Sequence, residues 1–493
     1  MKAAITGSGI AGIACSIRLA LLGFEVDVYE ANSTPGGKIA TLRQDGFRFD
    51  KGPSLLTMPG LVDELFVLAH KDPRAYLDYI SLPIACQYFY EDQTMLRAYT
   101  DAKQFGAEVA QKLGIGAEVV ESYLARSGKL FELTSKTFLE RSLHQWSTYL
   151  SKDALKLLAR IFQLPLIGSL NQVNTIQLEH PKLVQLFNRF ATYQGADPYT
   201  ASGMLQVIPH LEHNIGAFFP QGGMYTLVQS LVKLSQELGV RYHFNTLVEA
   251  ILVKQGKAQG IRTTTKSLPA DIVVSNMDVM ATYQRLSPKV QPPTRIIQEE
   301  RSSSALIFYW GINATFKELA LHNIFFSASY QKEFEAIFKR QCLIDDPTVY
   351  VHVSAKVNPT DAPPGQENWF VMINAPANQG QDWDKLIVQA KTNILKKLTR
   401  ILDTPIESLI VHESIWDPRG IEADTLAYQG AIYGASNNSK LAAFRSHPNF
   451  SSQIKGLYFC GGTVHPGGGI PLCLYSAKIV ARLIEQHHLA KAR

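Results

Sequence analysis

The sequence predicts an α/β fold, a two-dinucleotide-binding (Rossmann-like) domain interleaved with a mixed α+β domain. Three observations carry this. A glycine-patterned strand–helix–strand unit opens the chain and a glycine-rich strand-to-helix passage closes it. Between them, alternating patterns over residues 218–280 lead back to the first unit. At 493 residues the chain is too long for one core, so more than one lobe is expected.

The opening unit is complete in its first 30 residues. Residues 2–6 (KAAIT) read as a buried strand, 10–22 as an apolar helix and 25–29 (EVDVY) as a second strand. Gly7, Ser8, Gly9, Ile10, Ala11 and Gly12 form a GxGxxG at the strand-to-helix turn. Gly7 permits the turn, Gly9 lets backbone approach a pyrophosphate, and Gly12 lets helix and strand pack closely. The helix N-terminus offers free N–H groups and a positive dipole to a phosphate. Glu30 lies 18 residues beyond Gly12, where a carboxylate accepts from a ribose diol and repels a 2′-phosphate. Alone, a GxGxxG is a weak signal; inside this βαβ context it specifies a dinucleotide other than NADP. The same glycine spacing, with Arg18 interrupting the apolar run, argues against a secretory leader at Lys2.

Two loops follow: Pro35, Gly36, Gly37 and Lys38, then FRFDKGPSLLT (47–57) with Gly52, Pro53 and Ser54. Each alone is a plain turn, but their order after the fingerprint favours FAD over NAD. Near the other end, GLYFCGGTVHPGGGIP (456–471) runs from a short strand through Gly461, Gly462, Thr463, Gly467, Gly468 and Gly469 into a helix starting near Pro471. Such a helix end would stabilise the negative charge of a reduced flavin.

Composition narrows the partners. A net charge of +5 with 18% charged residues permits attraction to an anionic membrane but does not argue for nucleic acid. Five cysteines without a CxxC leave no disulfide framework or zinc site and fit a reducing cytoplasm. No apolar run approaches the roughly 20 residues of a membrane span.

The motifs GSGIAG (7–12), PGGK (35–38), FDKGPSLLTMP (49–59), FFPQGGM (218–224), VVSNMD (273–278) and GGTVHPGGGIP (461–471) together resemble the flavin amine-oxidase superfamily, and within it the bacterial carotenoid desaturases. HNIFFSASYQKEFEAIF (322–338) and NPTDAPPG (358–365) extend the resemblance over the whole chain. Many superfamily members carry Gly-Asp in the C-terminal motif; here Gly462 and Thr463 stand there, as carotenoid desaturases tend to have. GPSLLTMP and IPLCLYSAK are more similar to desaturases of hydroxylated or monocyclic carotenes, the hydroxycarotenoid 3,4-desaturases, than to those acting on phytoene.

The resemblance implies non-covalent FAD, with contacts from the fingerprint, Glu30, Ala31, Gly36, Gly37, Lys38, Gly52, Pro53, Ser54, Leu55, Asn276, Met277, Gly462, Thr463, Gly469, Ile470 and Pro471, and Val248 beside the adenine. It implies an FAD domain of 1–84, 216–284 and 431–493, and a substrate and membrane-facing domain of 85–215 and 285–430. The expected reaction inserts a double bond into a conjugated carotene (1′-hydroxy-γ-carotene 3,4-desaturation type), with oxygen or a quinone reoxidising the flavin. In KDALKLLARIFQLPLIG (152–168), Lys152, Lys156 and Arg160 form one basic stripe of an amphipathic helix. An ordinary surface helix has the same pattern, but a lipophilic substrate favours a cytoplasmic protein peripheral to the membrane. Polyene delocalisation tolerates positive charge, so a dry tunnel matters more than a strong base. Glu140 beside Arg141 and His465 beside the flavin loop are candidate acid–base groups; a surface charge pair and a structural histidine are the plainer readings. No metal-ligand cluster is evident. Phytoene desaturase, carotenoid isomerase, amine oxidase and a non-enzymatic prenyl-binding escort remain as alternatives, the last opposed by the intact fingerprint.

Overall fold

A computed structural model describes residues 1–287, 290–440 and 442–489. Its nucleotide-type core is a parallel five-stranded sheet in the order Leu457–Phe459, Ile272–Ser275, Lys2–Thr6, Glu25–Tyr29, Arg241–His243. These strands are covered on both faces, as parallel strands require. Ala3, Ile5, Val26, Val28, Ile272 and Val274 meet the helices Ile10–Leu21, Tyr225–Glu237 and Ile470–Ile484. The alternate residues Ala4, Tyr29 and Val273 face a three-stranded antiparallel sheet spanning Val248–Pro269. The first and last long helices thus pack side by side, which brings the two ends of the chain together.

A seven-stranded mixed sheet forms the second layer, in the order Ile410–Trp416, Ser304–Ile312, Glu367–Ala375, Val349–His352, His322–Phe325, Ile84–Phe89, Met95–Tyr99. All pairings are antiparallel except Ile84–Phe89 with His322–Phe325. The helix Trp383–Leu402 covers one face through Trp383, Ile394 and Leu398. Helical segments between Ala102 and His213 cover part of the other.

The 152–168 segment departs from the expected single helix. Only Lys152–Ala159 is α-helical, capped by the Ser151 hydroxyl, followed by a 3₁₀ turn at Ile161–Gln163. Arg160 leaves the helical region at φ −118° and ψ 16°, and Leu164 is extended ahead of Pro165, whose ring disfavours a helical predecessor. Among the described residues no helix is long and apolar enough to cross a membrane, and no group of His, Cys, Asp and Glu could hold a metal ion.

Candidate functional site

The fingerprint turn is fixed by backbone bonds. Gly7 N–H donates to the Tyr29 carbonyl at 2.8 Å, and Gly36 N–H donates to the Ser8 carbonyl at 2.8 Å, stitching the PGGK loop to it. A Cβ on Gly12 would sit 2.4 Å from the Gly7 oxygen, so helix and strand touch backbone to backbone there. Glu30 is buried just past the carboxyl end of the inner strand Glu25–Tyr29. Its carboxylate accepts from Ser8 N–H at 2.8 Å, Ser8 Oγ at 2.7 Å and Asn32 N–H at 3.0 Å. Ala31 is exposed beside it. The Thr246 N–H donates to the Glu30 carbonyl at 2.8 Å, and Val248 follows, buried, at the start of its strand.

Asn276 joins the two ends of the chain. Its backbone N–H donates to Thr6 at 2.8 Å and its Nδ2 to the Cys460 carbonyl at 2.9 Å. Its Oδ1 is buried without a partner among the described residues, 2.7 Å from where a Cβ on Gly9 would stand. Met277 is half-buried; Asp278 is buried and caps the turn that follows. Lys38 Nζ donates to the Ile432 carbonyl at 2.6 Å. Burial pushes the Lys38 ammonium down and the Asp278 carboxyl up, each opposed by the other's charge. Gly52, at φ +108°, packs so tightly on the Lys38 carbonyl that only glycine fits.

In the C-terminal loop, Gly461 N–H donates to Ser476 Oγ at 3.1 Å, and Thr463 Oγ1 accepts from Val279 N–H at 3.0 Å. Gly462 packs against Gly468, and Gly469 at φ +100° turns into the helix, with buried Ile470 and Pro471 in its first turn. Pro53 and Leu55 are half-buried, while Ser54 Oγ hydrogen-bonds Tyr350 Oη at 2.6 Å and so touches the large sheet. These residues fit a flavin dinucleotide: a glycine cradle that a side chain would fill, an orphaned amide oxygen beneath it, a carboxylate at the ribose end and a buried ammonium.

The acid–base candidates come together, each already engaged. Glu140 lies 3.9 Å from Lys478 and Arg141 3.4 Å from Asp153 in partly exposed pairs. His465 Nε2 meets the Arg141 carbonyl at 2.9 Å and its Nδ1 meets Ser446 Oγ at 3.4 Å. Burial pushes the imidazole down to about 4, so it is neutral near pH 7. Sequence reasoning missed a buried polar cluster around Arg189 and Glu212, whose members are scattered from Ser54 to Tyr350 and share no local motif.

A parallel sheet with this cradle, joined to a large mixed sheet through the Ser54 loop, defines an FAD-dependent oxidoreductase of the two-layer kind. The chain belongs to the family of flavin containing amine oxidoreductases, whose pattern matches residues 10–485. It is 47% identical over 483 residues to the 1-hydroxycarotenoid 3,4-desaturase of Flavobacterium sp. (strain P99-3), covering 98% of this chain and 99% of that one. It is 33% identical to the 4,4′-diapolycopene oxygenase of Methylomonas sp, covering 97% and 96%. Among solved structures, an oxidoreductase from Methanosarcina mazei superposes with a TM-score of 0.64 at 15% identity, over 99% of this chain and 100% of that one.

Proposed function

We propose that this flavoenzyme is a carotenoid desaturase that inserts the 3,4 double bond into a 1-hydroxycarotenoid of the 1′-hydroxy-γ-carotene type. The end-to-end identity of 47% to a 1-hydroxycarotenoid 3,4-desaturase carries this reading. In the reaction two adjacent C–H bonds break, one hydrogen leaving as hydride and the other as a proton, and a π bond forms between the carbons. Bound FAD supplies the two-electron acceptor, and oxygen or a quinone takes the electrons onward.

The chain's own part is to bind, orient and keep dry. Residues 7–12 would hold the pyrophosphate through backbone N–H groups, Glu30 the ribose and Val248 the adenine, with 36–38, 52–55, 276–277, 462–463 and 469–471 around the rest. We divide the chain into 1–84, 216–284 and 431–493 against 85–215 and 285–430; in support, the five-stranded sheet lies in the first set and the seven-stranded sheet, apart from Ile84, in the second. A conjugated chain spreads the positive charge left by hydride loss, so apolar walls suffice and water is excluded. Our role for His465 is positioning: its neutral ring ties the 463–467 loop to the Arg141 carbonyl.

Access from a bilayer rests on one surface. Trp146, Leu150, Phe162 and Ile167 are 86%, 80%, 98% and 90% exposed, beside the exposed Lys152, Lys156 and Arg160. Apolar exposure concentrated in 146–167, with cations in the same stretch, suits the interface of an anionic membrane, from which a carotenoid must be taken. Holoenzyme in liposomes, supplied with an electron acceptor, should convert 1′-hydroxy-γ-carotene to a product two hydrogens lighter. Conversion of phytoene to lycopene with no turnover of the hydroxylated carotene would overturn the assignment. A product heavier by one oxygen would point to the oxygenases instead.

A further inference from the structure

The face of the large sheet that meets Ser54 is aromatic and aliphatic except for one polar island. Ile324 pairs with Tyr88 on one side and Tyr350 on the other, so both tyrosines flank it on one face, and His322, two residues away, shares that face. Tyr350 Oη bonds His322 Nδ1 at 2.7 Å and Ser54 Oγ at 2.6 Å. Over this face lies the segment Arg189–Gln194. The Arg189 guanidinium sits 5.3 Å from the Tyr88 ring centroid and donates to the buried Glu212 carboxylate at 2.9 Å. Tyr193 hydroxyl donates to the other Glu212 oxygen. Gln194 Nε2 donates to the Gly468 carbonyl at 3.2 Å. The island is therefore tied to the Ser54 loop through Tyr350 and, through the neighbouring Gln194, to the Gly468 loop, both beside segments that the proposed function assigns to FAD binding.

A buried ion pair with tyrosines and a histidine is costly to desolvate, and a pure hydrocarbon pocket gains nothing from it. The island is also incompletely satisfied. Tyr88 Oη, Arg189 Nε and His322 Nε2 are buried and have no oxygen or nitrogen partner among the described residues. Their residues are 0%, 7% and 3% exposed, so water is not a free substitute. Glu212 has spent both oxygens on Arg189 and Tyr193, and burial keeps His322 neutral near pH 7 by pushing it down to about 4. The open valences are thus a fixed donor, a hydroxyl and an imidazole nitrogen, which together can serve a group that both donates and accepts.

We propose that this island is the receptor for the tertiary hydroxyl at C1 of the substrate, with Tyr88, Arg189 and His322 as its contacts. The inference rests on the 1-hydroxycarotenoid reading and deepens it. C1 is two bonds from C3, so whatever holds the hydroxyl must stand at the flavin end of the substrate site, as this island does. Anchoring the end group registers C3 and C4 against the acceptor, whereas a uniform apolar tunnel would let the polyene slide by one repeat. The contacts specify the substrate, and the Arg189–Glu212 pair positions them.

The test compares 1′-hydroxy-γ-carotene with 1′,2′-dihydro-γ-carotene, which lacks only the hydroxyl. Two quantities are read on the holoprotein: kcat/KM, and equilibrium binding by quenching of protein fluorescence. Wild type should favour the hydroxylated carotene by on the order of 100-fold or more, as a site built for a hydroxyl discriminates against its absence. Tyr88→Phe and His322→Phe should each cut that preference roughly tenfold, through loss on the hydroxylated arm alone, with flavin content unchanged. Equal turnover and binding of the two carotenes by wild type would overturn the receptor and leave the desaturase standing. A full preference surviving in both variants would overturn its placement here. Tight selective binding of the hydroxylated carotene without turnover of either would sink the desaturase reading and keep the receptor.

Discussion

Replacing Phe162 and Ile167 together by serine should detach the protein from membranes without touching its fold. At 98% and 90% exposure these side chains contribute almost nothing to the core, so the double change should shift the thermal midpoint by no more than an ordinary surface substitution. On a bilayer they enter the acyl boundary. Full burial of such a side chain is worth about 1.5–3 kcal/mol; taking the lower figure for each gives about 3 kcal/mol. That corresponds to roughly a 100-fold fall in the vesicle partition coefficient. Co-sedimentation with sucrose-loaded vesicles, with and without anionic lipid, measures it directly. The apolar loss should persist at high salt, because screening acts on charges alone. A partition coefficient unchanged by the double substitution would refute the assignment of this surface.

Three further outcomes follow from the same geometry. Reversing Lys152, Lys156 and Arg160 to Glu should weaken binding to anionic vesicles by about 1 kcal/mol per residue at low salt and leave neutral vesicles unaffected; equal binding at low salt would exclude this helix as the electrostatic contact. Gly9→Val should give colourless protein, since a branched side chain would occupy the cradle above Asn276; stoichiometric FAD absorbance in that variant would remove the phosphate role of the loop. His465→Gln should close its stability gap to wild type as pH falls. The folded ring titrates at about 4 against roughly 6.5 unfolded, so its stabilisation is complete above 6.5 and lost between 6.5 and 4. Thermal midpoints compared pairwise cancel the opposite contributions of Asp50 and Glu333, which burial raises to about 6 and 7. A gap constant with pH would contradict a buried neutral His465.

The sequence by itself determined the parts whose physics is local. Gly7, Gly9 and Gly12 with Glu30 are legible because a turn, a close approach and a carboxylate at fixed spacing sit within one βαβ unit. The strands 2–6 and 25–29 are legible from short apolar or alternating patterns on either side of the GxGxxG helix, and the last helix from the glycine-to-proline passage before it. The apolar periodicity of 152–168 runs on past Arg160, where the helix ends; the residue before Pro165, Leu164, is restricted locally, but the break at Arg160 has no local sequence signal. The tertiary structure alone assembles the buried polar island proposed as the hydroxyl receptor. Nothing local links Ser54, Tyr88, Arg189, Glu212, His322 and Tyr350, because they come from separate strands, a loop and helical turns. They meet only when the large sheet folds over the Ser54 loop, and only that burial raises the cost of an open valence enough to make it informative.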